Sequence, residues 1–116
     1  MDVETRFLVP IHEDKQVGNG SLHPPFRWEW LQTYLYDHFD GYTLALGLYR
    51  GVWRSPSGKK VSDLSRTYIV AIDTERVDEL KVFLREVAQE FRQQSLYFSV
   101  AGEVEFIEGI PYQGEM

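Results

Sequence analysis

A chain of 116 residues, 43% apolar and 15% aromatic, has the size and composition of one globular domain, which excludes a disordered chain. It contains no cysteine, which removes disulfides, thiolate nucleophiles and cysteine-ligated zinc and suits a reducing, cytoplasmic setting. A net charge of -6 disfavours nucleic acid and anionic membrane surfaces, and no apolar run reaches the ~20 residues of a membrane span.

The acidic start, Met1-Asp2-Val3-Glu4, lacks the pattern of a signal peptide. Phe7 to Ile11 reads as a first strand, with Pro10 near its end because proline cannot donate to a ladder. A long connection follows, from His12 to Pro24, and Gly18-Asn19-Gly20-Ser21 in it reads as a flexible turn. Pro25 opens a helix in which Trp28, Leu31, Leu35 and Phe39 recur at helical spacing. Trp30 and Tyr34 widen its apolar surface and suggest a partner contact. Asp40-Gly41 closes it.

The second strand is expected over Tyr42 to Trp53 and the third over Val61 to Ile72, joined by the Ser55-Pro56-Ser57-Gly58 turn. Setting Arg54 opposite Lys59 places Arg50 opposite Asp63 and Tyr68 beside Ala45. Asp73 or Thr74 caps a second helix, with Val77, Leu80, Leu84, Val87 and Phe91 on its inner stripe. Leu96, Phe98 and Val100 begin a fourth strand that Gly102 breaks or bulges before Val104 to Ile107. The expected domain spans residues 1–108, and 109–116 reads as a loose tail.

The order β-α-β-β-α-β predicts an α+β, ferredoxin-like fold: a four-stranded antiparallel sheet with two helices on one face. The other face would carry Ala45, Gly47, Tyr49, Leu64, Tyr68, Val70, Ile72 and Tyr97. A patch of that kind seldom stays wet on a monomer, so a homodimer or higher oligomer that packs sheet faces or edges together is expected. In this pattern the chain resembles the dimeric α+β-barrel superfamily over residues 5 to 107. Gly51-Val52-Trp53 and Asp63-Leu64-Ser65 also resemble paired motifs of a small uncharacterised bacterial family of that fold. The superfamily holds cofactor-free oxygenases, haem enzymes, isomerases and plain binders, so the resemblance implies a fold and selects no chemistry.

Four tyrosine and arginine positions carry the ligand-binding expectation. Tyr49, Arg66, Tyr68 and Tyr97 combine apolar walls with polar tips, and Arg66 suits a small anionic ligand in a bidentate fork. The same residue types also make an ordinary subunit interface. His12, Arg66 and Tyr68 are the catalytic candidates, as base, anion clamp and donor. The spacing of His12, His23 and His38 matches no metal-ligand motif, and they read as surface histidines. No metal or cofactor is expected. Ser65 to Ala71 lacks the aromatic pattern of an RNA-binding strand. No nucleophile–base pair stands out, so a non-catalytic oligomeric binding module comes first. The alternative is a small cofactor-free enzyme of oxygenase or isomerase type.

Overall fold

The structure, a computed structural model, describes residues 1–109. The tail expected over 109–116 lies outside the described residues apart from Gly109. Strand β1 spans Asp2–Pro10, helix α1 Pro25–Phe39, β2 Thr43–Leu44, β3 Tyr49–Arg54 and β4 Lys60–Asp73. Helix α2 spans Val77–Glu90, β5 Ser95–Val100 and β6 Glu103–Glu108. No helix among the described residues is long and apolar enough to cross a membrane.

The sheet is antiparallel and has six strands rather than four, in the order β2-β4-β1-β5-β6, with β3 also on β4. Both additions come from interrupted strands. Ala101 and Gly102 both take positive φ, 49° and 87°, so the segment after Val100 turns back as a hairpin and β6 pairs with β5. Where one long second strand is expected, the chain leaves β4 after Leu44 and returns at Tyr49, with Gly47 at φ 77°. Leu44 pairs with Tyr68 and Tyr49 with Ser65, so the outer strand takes five steps where β4 takes three. This double-residue bulge moves the pairing one residue from the expected register on each side. Arg50 therefore opposes Leu64, and Gly51, not Arg50, opposes Asp63.

A one-residue slip exchanges the faces of a strand. Phe7 pairs with both Tyr68 and Phe98, so Tyr68 lies on the helix-covered face, together with Val70 and Ile72. These three are core, not the exposed patch expected from the sequence. The opposite face carries Tyr49, Trp53 and Tyr97 around small polar residues, Ser65, Thr67 and Ser99, which are buried.

Both helices pack on the inner face through the stripes read from the sequence. Leu31, Leu35, Leu80, Leu84 and Val87 are completely buried against Phe7, Val9, Phe98 and Tyr68. Trp30 and Tyr34 serve this packing too. Tyr34 stacks on Phe83 with ring centroids 3.7 Å apart and planes within 5°, and Trp30 leans on the same ring. Their partner is α2 of the same chain. Asp73 caps the turn before α2 by accepting from the Glu75 N–H, and Asp40, at φ 64°, supplies the left-handed end of α1. We expect Phe83→Ala to cost about 3–5 kcal/mol in denaturant unfolding, the range for large core deletions. Leu46→Ala, at a side chain 99% exposed on the bulge, should stay within about 0.5 kcal/mol.

Candidate functional site

The long connection between β1 and α1 is folded onto the end of the sheet by one buried polar cluster. Glu13 accepts from Arg27 at 2.8 Å and from the Asn19 backbone N–H at 3.0 Å, which ties the Gly18–Gly20 turn in place. A β-carbon at Gly18 would collide with the Glu13 side chain, so that turn needs glycine. Arg27 also lies 3.0 Å from Nδ1 of His23, while Nε2 of His23 lies 2.8 Å from the Pro10 carbonyl. A guanidinium only donates and a carbonyl only accepts, so Nδ1 accepts and Nε2 carries the proton. His23 is thus a neutral, buried linchpin rather than a surface residue, set edge-on against Trp28 and Phe91. Burial lowers its pKa to about 4, aided by the nearby Arg27 charge, while its hydrogen bond to Pro10 opposes the shift.

Above this cluster, α1 and β4 diverge and leave a cleft of about 490 Å³. Its apolar walls are Ile11, Leu22, Pro25, Trp28 and Leu48; its polar groups are His23, Glu29, Gln32 and Arg66. The bulge after β2 brings Leu48 to this cleft. The Arg66 guanidinium lies over the Trp28 ring, its carbon 4.0 Å from the centroid. The ring covers one side of the guanidinium, and N–H groups not turned to Tyr68 remain for an acceptor in the cleft. Arg66 has no carboxylate partner among the described residues. Gln32 is held by donating to the Tyr68 hydroxyl at 2.8 Å and accepting from Tyr42 at 3.2 Å. Burial raises the Tyr68 pKa, with Gln32 and Arg66 opposing, so the phenol is neutral at ordinary pH.

Arg66 and Tyr68 therefore come together, on the helix side rather than the open side of the sheet. Tyr49 and Tyr97 do not join them; they lie on the opposite face, within electrostatic reach of Arg6. His12 also stands apart. Its side chain is exposed, and its backbone bridges Leu22 and accepts from Gln93 at 2.8 Å. Sequence reasoning missed Trp28, Gln32 and Glu29 as cleft residues. The spacing of Trp28 and Gln32, four apart on α1, was the signal available. The paired tripeptides on β3 and β4 do meet: Asp63 faces Gly51, and a β-carbon there would lie 3.0 Å from the carboxylate. Burial raises the Asp63 pKa, partly offset by a hydrogen bond from the Trp53 side chain.

No family model matches the chain, and no curated protein matches it. Two solved structures share its fold. A phage SAM lyase in complex with S-methyl-5'-thioadenosine superposes with a TM-score of 0.68 at 17% identity, covering 97% of this chain and 93% of that one. A phage SAM lyase in the apo state gives a TM-score of 0.58 at 16% identity, covering 96% and 92%. The class thus defined is a small α+β fold with an open six-stranded sheet, similar in its whole extent to that enzyme.

His23 makes stability depend on pH. The unfolded chain, with its histidine near 6.5, takes up this proton before the folded one does, so stability falls as pH drops from about 6.5 towards 4. Urea titrations at pH 7 and pH 5 should differ by about 2 kcal/mol from this group alone. His23→Gln should be less stable at pH 7 and lose that part of the slope. Glu13, whose pKa is lowered by Asn19 and Arg27, adds a loss at still lower pH.

Proposed function

We propose that the α1–β4 cleft binds a sulfonium nucleoside bearing an amino-acid arm, S-adenosylmethionine being the type compound, and that the protein cleaves it as a lyase. The observation that supports this reading is the presence of Arg66 and Glu29, unpaired with each other, in one cleft with aromatic and aliphatic walls, on a fold shared with a SAM lyase. An arginine and a glutamate complement the carboxylate and ammonium of an α-amino acid. Leu22, Leu48 and Ile11 offer the apolar surface that a purine needs, with Trp28 behind Arg66. A volume near 490 Å³ lies within the range of small-molecule sites.

The chemistry asked of such a site is modest. Breaking the bond from sulfur to the amino-acid arm sends both electrons to sulfur, so the cation becomes a neutral thioether. As that bond breaks, the arm's own carboxylate oxygen bonds to the carbon, closing a lactone that keeps the ammonium, so no co-substrate is needed. An apolar cleft with a fixed cation disfavours the sulfonium relative to a transition state in which its charge is fading. What remains of S-adenosylmethionine is S-methyl-5'-thioadenosine.

A second reading, a binding module without catalysis, is favoured by one observation. Both ring nitrogens of His23 are already engaged, and His12 lies outside the cleft. Calorimetry with both compounds, together with chromatography of S-adenosylmethionine incubated with the protein, separates the two. We expect binding of both and release of S-methyl-5'-thioadenosine; binding without release selects the module. Arg66→Ala should weaken S-adenosylmethionine about 10- to 100-fold, the value of a charge-assisted hydrogen bond. It should leave S-methyl-5'-thioadenosine, which has no carboxylate, unchanged. If neither compound binds at millimolar concentration, both readings fall.

A further inference from the structure

The two outer edges of the sheet are complementary to each other. One is β3, paired only with β4; the other is β6, paired only with β5. Each is six residues long, and each leaves one row of backbone donors and acceptors without a strand partner among the described residues. Tracing the antiparallel pairings from β3 through β4, β1 and β5 to β6 shows that β3 and β6 run in the same direction.

The side chains alternate in matching ways. Along β3, Arg50, Val52 and Arg54 stand on the helix side of the sheet and Tyr49 and Trp53 on the open side, with Val52 exposed between the two arginines. Along β6, Glu103 and Glu105 stand on the helix side and Val104 and Phe106 on the open side. Apart from Ile107, which is core, the flanking side chains on both edges are largely exposed: Tyr49 and Trp53 by 44%, Val104 by 52% and Phe106 by 64%. Glu105 bonds Lys81 at 2.8 Å, whereas Glu103 has no cationic partner among the described residues.

We infer that the β3 edge of one molecule docks in parallel on the β6 edge of a second copy of this chain, extending the sheet from molecule to molecule. With Arg50 set beside Glu103, Arg54 reaches Glu105 diagonally across Val52 on the helix side, and Trp53 meets Phe106 on the open side, with both faces kept continuous. The contact joins two different surfaces, so it propagates head to tail and closes into a ring where the rotation allows. Of the face and edge packings expected from the sequence it takes the edge one, because the face loses Tyr68, Val70 and Ile72 to the core. Like-edge pairing is disfavoured because it would set arginine against arginine or glutamate against glutamate.

Light scattering on the full chain across a concentration series, at low and high salt, tests this. We expect an oligomer that weakens as salt rises. Trp53→Asp and Phe106→Asp should each reduce it to a monomer that still unfolds cooperatively, at a lower temperature, because the first loses the hydrogen bond to Asp63 and the second the Tyr97 ring contact. R50E/R54E and E103K/E105K should each dissociate it, and the four changes combined in one chain should restore it. That last variant keeps the test valid if an aspartate variant fails to fold. A wild-type chain that stays monomeric at high concentration overturns the proposal. So does an oligomer sensitive to Trp53→Asp but not to Phe106→Asp, which marks a like-edge dimer, and so does one that survives all of these changes. Assembly is read without any ligand, so this result is independent of the cleft.

Discussion

The pairing of β1 with β4 along the whole of β1 decides which side of the sheet each β4 residue occupies. Phe7 stacks on Tyr68 at 5.4 Å, and that contact fixes Tyr68, Val70 and Ile72 inward and Thr67 and Ile69 outward. Arg66, two residues before Tyr68, is then also turned towards the helices. There Trp28 receives it, and the cleft between α1 and β4 gains its cation. Core and cleft thus depend on the same register.

The helices were legible because their apolar stripes repeat at helical spacing and their ends carry Pro25, Asp40 and Asp73. The order of elements was legible for the same reason, and the resulting topology is consistent with a ferredoxin-like arrangement extended by β6. The sheet register was not. Leu44, Leu46 and Leu48 suggest an unbroken alternation, but Gly47 takes a left-handed conformation that the pattern of hydrophobicity does not encode. Val70 and Ile72, read with the wrong parity, then looked like an exposed patch.

The candidate site was half legible. Arg66 and Tyr68 were picked out by residue type, and they do lie together. His12 was chosen for its place beside acids, yet the residue that matters there is His23. Its role depends on Pro10, Glu13 and Arg27 converging on it from either side of the connection. Contacts made by a folded loop with itself have no periodicity, so no spacing rule reveals them. The same cluster gives the loop a floor of buried hydrogen bonds, which explains how so long a connection forms one wall of a cleft.

The interrupted outer strand has a geometric corollary. Two surplus residues between Leu44 and Tyr49 are what carry Leu48 to the cleft mouth and Leu46 into water. A chain shorter by those two would run flush along β4 and keep the orientation of everything after it. A chain shorter by one would turn β3 over, sending Tyr49 and Trp53 inward and Arg50 and Arg54 outward. Length at this point acts as a parity switch, so related chains should differ here by even numbers of residues.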